Sequence, residues 1–379
     1  MISHDMSDLI VRGARAPDGS PSDVAVVGGR VVEPGSATGT SYDAAGLTVL
    51  PGLIDLQVNG VAGIDLTLEP ERLWEAAAAL PAYGVTAFLP TVITSAPDAR
   101  DRALATFVDG PPAGWAGALP LGLHFEGPML APARKGAHPE RWLRPPSTEL
   151  VADWSRATGV TMVTIAPELP GALEVISALV ARDVIVAIGH TEATAAEVTA
   201  AAGRGARAVT HLGNAMPALA AREPGAFGAA LADPRLVAGV IADGHHLDPV
   251  TLSVLWRVLG RERLVAVTDC TAALGMPDGP ARLGDQRVVV RDGTVRLADG
   301  TLAGSAASLP QCLRVLREAT GCSLEEAVAT CTTTAARLVG DHERGRLTPG
   351  ARGDLTLVDD DLHVVATVVG GRLVHGGQA

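Results

Sequence analysis

Four polar side chains in this sequence come directly after short apolar runs, and they are of the types that a hydrolytic metal site needs. They are Glu126, His190, His211 and Asp269. One carboxylate with two imidazoles is a ligand set of hydrolytic zinc sites, and it leaves a coordination position open for water. A bound ion lowers the pKa of water from 15.7 to about 7, which relieves roughly 12 kcal/mol of deprotonation cost at neutral pH. The residue types therefore indicate hydrolysis by metal-activated water.

The elements that must hold these groups are eight apolar, β-branched-rich runs, each followed by a turn and then by a stretch of helical period. Such continuous runs are typical of parallel strands buried on both faces. The runs are Leu53–Val58, Thr86–Leu89, Leu119–Phe125, Val160–Ile165, Val184–Ile188, Ala206–Val209, Val237–Ile241 and Leu264–Val267. They predict an α/β fold, a TIM-like (β/α)8 barrel, whose catalytic groups stand at the carboxyl ends of the strands. A doubly wound open sheet with miscounted strands is the alternative.

Helices are predicted between these strands, where apolar residues recur with helical spacing. One of them begins with Asp248 as a candidate N-cap and Pro249 at the first helical position. The predicted helices cover residues 71–82, 97–107, 148–157, 171–182, 193–203 and 249–259.

The two ends of the chain alternate in the manner of antiparallel strands. The alternating runs are Leu9–Arg12, Val24–Val32, Leu47–Leu50, Leu355–Val358 and Val364–Val374. We predict one small β-sandwich domain built from residues 1–50 and 346–379, with the hydrolase barrel at 51–345 between them. A two-residue hairpin signal at Asp292-Gly293, between strands expected at 287–290 and 294–297, marks an insertion near 276–302.

Composition and charge narrow the classes of function. With 47% hydrophobic and 19% charged residues, the 379-residue chain is typical of an ordered globular protein. The 30 Lys and Arg against 42 Asp and Glu give a net charge of −12, which repels a polyanion, so nucleic acid is not an expected partner. Lys135 is the one lysine, which excludes a Walker A loop, and its Pro/Ala/Gly-rich surroundings disfavour a Schiff-base lysine.

Cysteine spacing and the first residues bear on the cellular compartment. The four cysteines show no C-x-x-C spacing and are too few for a disulfide scaffold, which fits a reducing cytosol. Residues 1–16 contain no apolar segment typical of a signal peptide, and no run reaches the roughly 18 apolar residues of a membrane span. We expect a cytoplasmic protein with no membrane partner.

Eight short motifs surround the candidate groups, and they carry a resemblance to a known family. They read Pro-Gly-Leu-Ile-Asp-Leu-Gln-Val-Asn-Gly at 51–60, His-Phe-Glu-Gly-Pro at 124–128, Lys-Gly-Ala-His at 135–138, Gly-His-Thr at 189–191, His-Leu-Gly-Asn-Ala-Met-Pro at 211–217, Arg-Glu-Pro-Gly at 222–225, Ala-Asp-Gly-His-His at 242–246 and Val-Thr-Asp at 267–269. Over nearly the whole chain the sequence resembles the N-acetylglucosamine-6-phosphate deacetylases of the amidohydrolase superfamily. The tail at 345–355 resembles the segment that returns the chain to that family's small β-domain.

The resemblance implies a reaction and a role for each group. N-Acetyl-D-glucosamine 6-phosphate would be hydrolysed to D-glucosamine 6-phosphate and acetate, in amino-sugar catabolism and cell-wall recycling. Glu126, His190 and His211 would hold one divalent metal ion, for which Zn²⁺ is favoured and Fe²⁺, Co²⁺ or Mn²⁺ are alternatives. Asp269 would take the proton of the attacking water and return it to the amine, and His138 would stabilise the oxyanion.

The resemblance also implies how the phosphorylated sugar is bound. Arg222 and His246 would bind the phosphate, with the site shared between the subunits of a homodimer or a dimer of dimers. His245 is interpreted as structural and Cys270 as packing. The further sugar-contacting positions would be Ala137, His138, Asn214, Ala215, Asp243, Leu302, Ala303 and Gly304.

Some points stay open at the level of sequence. Gln57-x-Asn59 stands where many relatives have two histidines, and the fourth strand ends without a lysine, so one metal is the simpler interpretation and a weak second contact at Gln57 stays an alternative. The native metal, the choice between glucosamine and galactosamine derivatives, and the role of the insertion are also open. Another amidohydrolase, acting on a cyclic amide or an N-acyl amino acid, is the second hypothesis. A non-catalytic scaffold ranks last because Glu126, His190, His211 and Asp269 are all intact.

Overall fold

Eight parallel strands form the centre of the computed structural model, which describes residues 8–377. They are Leu53–Val58, Val85–Ile93, Leu123–Glu126, Val160–Ile165, Ile185–Ile188, Ala208–Val209, Val237–Ile241 and Leu264–Val267. Each strand pairs in parallel with the next one along the chain, from the first to the eighth. A doubly wound sheet would instead reverse its order at a switch point. The predicted TIM-like (β/α)8 barrel is therefore confirmed, and the open-sheet alternative is wrong.

The barrel closes between its first and eighth strands through individual hydrogen bonds. The Thr268 hydroxyl donates to Asp55 Oδ2 at 2.6 Å, and the Asn59 N–H donates to the Cys270 carbonyl oxygen at 2.7 Å. Asp55 is only 1% exposed, and this burial raises the pKa of its carboxyl to about 7. One of the contacts that close the barrel is therefore made by a carboxyl group that keeps its proton up to an unusually high pH.

Because of this raised pKa, the contribution of Asp55 to the stability of the fold should decrease as the pH rises. The folded chain keeps the Asp55 proton up to about pH 7, whereas the ordinary pKa is 3.8. Between these values the folded state binds more protons than the unfolded state, so the free energy of unfolding falls with increasing pH. Between about pH 5 and about pH 8, we expect the free energy of unfolding of the wild type to fall by on the order of 2 kcal/mol more than that of Asp55→Asn. Urea unfolding at both pH values measures this, and equal losses would show that the carboxyl is already ionised in the fold.

Helices cover the outside of the barrel. Asp248 caps one of them as predicted, because its side chain accepts the Val250 N–H. The helices predicted at 97–107 and 171–182 lie within two residues of those in the structure. The α-helices are Leu73–Ala79, Pro97–Asp109, Ala172–Val180, Ala195–Gly203, Gly225–Ala232, Pro249–Arg263, Leu309–Thr320, Leu324–Thr330 and Thr333–Val339. No helix within residues 8–377 is long and apolar enough to cross a membrane.

Some elements differ from the sequence prediction. The strand expected at 119–125 is broken at Gly122, whose φ of +98° ends a two-residue strand before the third barrel strand. The prediction of a helix at 148–157 is wrong, because these residues form turns. Ser147 Oγ accepts the Glu149 N–H and the Thr158 hydroxyl donates to a main-chain carbonyl, so side chains compete for the groups that a helix would use. Four helices of the structure were not predicted, one of them Gly225–Ala232, which has no polar face.

Strands from both ends of the chain form two four-stranded sheets. One contains Arg30–Val32, Val24–Val27, Leu9–Arg12 and Thr40–Asp43, and the other contains Arg372–His375, Val364–Val369, Leu355–Val358 and Thr48–Pro51. Val11, Val26 and Leu357 are among the residues of their shared core. The small β-sandwich from both termini is thus present. Its predicted boundaries at 50 and 346 stay a prediction, and residues 1–7 and 378–379 lie outside the described residues.

The insertion after the eighth strand is a four-stranded antiparallel sheet, larger than the predicted hairpin. Its strands are Gly279–Leu283, Gln286–Arg291, Thr294–Arg296 and Leu302–Ser305. Leu283 and Ala303 of this sheet pack in one cluster with Ile93 of the second barrel strand and with Ala137. The insertion therefore covers the end of the barrel where the strands have their carboxyl ends.

Candidate active site

A cavity of about 450 Å³ opens at the carboxyl ends of the barrel strands. Most of the residues singled out from the sequence lie on its wall. These are Glu126, His138, His190, His211, Asp269, Ala137, Asn214, Ala215, His246, Leu302, Ala303 and Gly304. Arg222 and Asp243 are not on the wall. Strand ends that are far apart in sequence thus bring one set of carboxylates and imidazoles together.

Glu126, His190 and His211 form a nearly equilateral triangle of ligand atoms. Glu126 Oε1 lies 3.1 Å from His190 Nε2 and 3.0 Å from His211 Nε2, and the two nitrogens are 3.1 Å apart. All three side chains are buried. Ligand atoms about 2.0–2.1 Å from a tetrahedral zinc ion lie about 3.3 Å from one another. The triangle therefore has the size that one such ion requires.

The hydrogen bonds of His190 show that these atoms need a cation. His190 Nδ1 lies 2.8 Å from the carbonyl oxygen of Arg134, which only accepts, so Nδ1 carries the hydrogen. Nε2 of the neutral ring then presents a lone pair toward the Glu126 carboxylate, which also offers lone pairs. Converging acceptors repel one another unless a proton or a metal ion lies between them. Burial opposes ionisation of Glu126, but hydrogen bonds from His190 and His211, when these rings carry such a proton, hold the pKa of Glu126 well below its ordinary value.

His138 is an alternative third ligand, because its ligand atom and those of Glu126 and His190 lie within 4.8 Å of one another. The tautomer disfavours this alternative. The Thr94 N–H donates to His138 Nδ1 at 3.3 Å, so the hydrogen of the neutral ring is on Nε2, which lies 3.9 Å from Glu126 Oε2. Burial lowers the pKa of His138 to about 3, so the ring is neutral. His138 thus offers a hydrogen-bond donor to the cavity, as an oxyanion-stabilising group must.

Asp269 is the carboxylate next to this triangle. It is buried, and Asn59 Nδ2 donates to its Oδ1 at 2.7 Å. Burial, together with the charge of Glu126, raises the pKa of Asp269 to about 6. A carboxylate of this pKa is ionised at neutral pH and basic enough to accept a proton from water.

Three of these residues adopt left-handed backbone conformations. The φ angles are +51° at Asp269, +50° at His190 and +29° at His211. Such angles are uncommon for residues other than glycine and cost about 1–3 kcal/mol each. Each residue follows its strand within two positions, so the sharp turn directs the side chain into the mouth of the barrel. Backbone strain is therefore present at three of the residues for which chemistry is expected.

The predicted phosphate groups are not together in this chain. His246 lies on the cavity wall, and its Nδ1 donates to Asp243 Oδ2 at 2.7 Å. Asp243 Oδ1 accepts the N–H groups of His245 and His246, both at 2.9 Å. Asp243 therefore lies behind His246, although a sugar contact was predicted for it. His245 and Arg222 are exposed.

The structure adds wall residues to which the sequence analysis gave no role in the site. They are Asn59, Ile93, Pro132, Ala133, Arg134, Lys135, Gly136, Ile241, Leu283, Asp299 and Thr301. Lys135 belongs to the quoted Lys-Gly-Ala-His motif, which was the available signal for it. Asp299 and Thr301 come from the loop between the third and fourth strands of the insertion, whose position over the cavity has no local signature.

Comparison with known proteins shows the family. The family model described as "Amidohydrolase family" matches residues 48–374. N-Acetylglucosamine-6-phosphate deacetylase of Rattus norvegicus is 36% identical over 375 residues, 93% of this chain and 91% of that protein. The enzyme of that name from Bacillus subtilis (strain 168) is 37% identical over 332 residues, 86% of this chain and 84% of the relative. The chain belongs to the deacetylase branch of the amidohydrolase family.

Solved structures agree with this amidohydrolase assignment. N-Acetylglucosamine-6-phosphate deacetylase from Thermotoga maritima is 32% identical with a TM-score of 0.86, covering 97% of this chain and 100% of that one. A mutant deacetylase from Mycobacterium smegmatis, in complex with N-acetyl-D-glucosamine-6-phosphate, is 33% identical with a TM-score of 0.88. The match covers 97% of this chain and 99% of that one. The resemblance found in the motifs is confirmed. This amidohydrolase is an enzyme that hydrolyses a linear amide.

Proposed function

We propose that the chain hydrolyses N-acetyl-D-glucosamine 6-phosphate to D-glucosamine 6-phosphate and acetate. The observation that carries this proposal is the triangle of Glu126, His190 and His211 beside Asp269, in a chain whose relatives have that activity in their names. The triangle would hold one divalent metal ion, with Zn²⁺ favoured and Fe²⁺, Co²⁺ or Mn²⁺ also suited to these ligands. When bound, the ion lowers the pKa of water and polarises a carbonyl group.

The protein side chains supply the proton transfers and the anion stabilisation. Asp269 accepts a proton from water as the water oxygen attacks the acetamide carbonyl carbon, and it returns that proton to the nitrogen as the C–N bond breaks. His138 Nε2–H donates to the carbonyl oxygen as negative charge develops on it. The second proton of the water passes from the new carboxyl group to the amine, so the products are acetate and the ammonium form of the amine, and no proton is left on Asp269.

We also propose that the phosphate site needs a second copy of the chain. Arg222 is exposed and does not line the cavity of its own chain, whereas His246 does. A protein with a net charge of −12 needs a local cation to hold a phosphate. In a homodimer or a dimer of dimers, Arg222 of one copy would complete the site at His246 of the other.

Replacing Arg222 by Ala should mainly weaken substrate binding. Loss of a charge-assisted hydrogen bond to phosphate costs about 1.5–3 kcal/mol, so we expect KM to rise about 10- to 100-fold with kcat nearly unchanged. Arg204→Ala is the matched control, because Arg204 is also exposed and does not line the cavity. Steady-state kinetics on the phosphorylated sugar test this, and an unchanged KM in Arg222→Ala would remove Arg222 from the phosphate site.

We propose amino-sugar catabolism and cell-wall recycling as the role of this reaction. We infer a cytoplasmic location from the four cysteines, which are all unpaired and buried, as a reducing compartment permits.

Acetate release by the purified protein tests the proposed function. The substrates are N-acetylglucosamine 6-phosphate, the unphosphorylated sugar and the galactosamine epimer, with the bound metal quantified on the same sample. Turnover confined to phosphorylated sugars, with about one metal per chain, is the expected result. If the metal-loaded protein releases no acetate from any of them, the proposed substrate is wrong. Cyclic amides and N-acyl amino acids would then be the substrates to test.

A further inference from the structure

Asn59 lies at the end of the first barrel strand, with its backbone fixed on both sides. Its N–H donates to the Cys270 carbonyl oxygen at 2.7 Å, and its carbonyl oxygen accepts the Leu66 N–H at 2.9 Å. The side chain is 2% exposed and forms part of the cavity wall. Asn59 thus has little freedom to move away from the residues it faces.

The Asn59 amide holds Asp269 at two points. Nδ2 donates to Asp269 Oδ1 at 2.7 Å and to the Asp269 carbonyl oxygen at 3.4 Å. A carboxylate only accepts, so the nitrogen of the amide must be the atom that faces it. Among the described residues, Asn59 is the one side chain that donates to this carboxylate. The contact therefore fixes the rotation of the carboxylate about its own bonds.

The backbone of Asp269 is held separately from its side chain. The Ser305 N–H donates to the Asp269 carbonyl oxygen at 2.9 Å, and the Ser305 hydroxyl donates to the Thr268 carbonyl oxygen at 2.7 Å. These bonds keep the left-handed turn in place without touching the carboxylate. Loss of the Asn59 amide should therefore leave the turn intact and release only the carboxylate.

We propose that Asn59 is a positioning residue for proton transfer by Asp269. With Oδ1 bound to the amide, Oδ2 of Asp269 is the oxygen available to accept a proton from water. Without the amide, the carboxylate can rotate and its acceptor oxygen is often misdirected. Proton transfer needs heavy-atom distances of about 2.6–3.2 Å, so misdirection lowers kcat and leaves substrate affinity unaltered.

The test is a double-mutant cycle between Asn59 and Asp269, with acetate release as the readout, and it rests on the proposed function. Asn59→Leu removes the amide at similar size, and Asn59→Ala is the second variant if the first does not fold. We expect kcat to fall about 10- to 100-fold, with KM and metal content unchanged. In an Asp269→Asn background the same change should cause no further loss, because the group that it acts through is gone.

Each outcome decides one question. An inactive wild type would overturn the proposed function and say nothing against the geometry. An active wild type with an unaltered kcat in Asn59→Leu would overturn the positioning role. Equal losses in both backgrounds, a raised KM or a lost metal would also overturn it, because Asn59 would then act on the fold, the substrate or the metal.

Discussion

Asp269→Asn is expected to lower kcat about 10²- to 10⁴-fold while the protein keeps its metal and its fold. This range is what a positioned acid–base group typically contributes. An amide has nearly the same size as the carboxylate but cannot accept the proton of water, and so it cannot return one to the leaving amine. The proposed metal ligands are untouched, because none of the three distances in the triangle of Glu126, His190 and His211 involves Asp269. Acetate release and metal analysis on one sample measure both effects.

Asp183→Asn is a matched control for this variant. Asp183 precedes the fifth strand, at the amino end of the barrel, and its side chain is 75% exposed. It also has a left-handed backbone, with φ of +59°, so both substitutions put Asn into a similar local conformation. We expect Asp183→Asn to retain wild-type kcat. Metal loss in Asp269→Asn would instead make Asp269 a ligand, and near-normal turnover would assign the proton transfers to another group.

The main features of the site follow from the sequence because two rules coincide there. Apolar runs reveal parallel strands, and in a barrel all their carboxyl ends meet at one mouth. Glu126, His190 and His211 each end or closely follow such a run, so their meeting could be predicted without knowing any distance. The helix predicted at 148–157 failed because hydroxyl side chains bind the backbone there. The missed helix Leu309–Thr320, in contrast, has clear local signals, an N-cap at Ser308 and a left-handed Gly321 at its end.

The contacts within the site that could not be predicted from the sequence are set by side-chain direction and by loops that are distant along the chain. Asp243 and His246 are both polar and close in sequence, and only the hydrogen bond between them shows that one lies behind the other. Asn59 belongs to the motif at 51–60, yet the motif does not reveal its contact with Asp269, because that partner is 210 residues away along the chain. Arg222 belongs to a recognisable motif, yet the motif does not reveal that Arg222 lies away from the cavity wall of its own chain.

Removing the metal is expected to abolish turnover without unfolding the protein. The ion supplies several kcal/mol of stabilisation to the transition state, so the loss should be about 10³-fold or more. The barrel core does not depend on it, because the buried cluster beneath the site consists of apolar side chains such as Phe88, Phe125 and Ile165. Treatment with a chelator followed by dialysis gives the metal-free protein, and circular dichroism checks its fold. Activity should return when Zn²⁺, Fe²⁺, Co²⁺ or Mn²⁺ is added, to an extent that identifies the preferred ion.

Two histidine variants then distinguish the alternative ligand sets. His211 Nε2 lies 3.0 Å from Glu126 Oε1, and no hydrogen bond to Nδ1 forces the ring hydrogen onto Nε2. In His138, by contrast, the Thr94 N–H donates to Nδ1 and so fixes the ring hydrogen on Nε2. His211→Asn should therefore purify with little metal, and His138→Asn should keep about one ion per chain while losing turnover. Both changes shorten a buried imidazole in the same cavity, so a general disturbance of the site would affect them equally. Metal loss in His138→Asn with retention in His211→Asn would exchange the two roles and make His138 the third ligand.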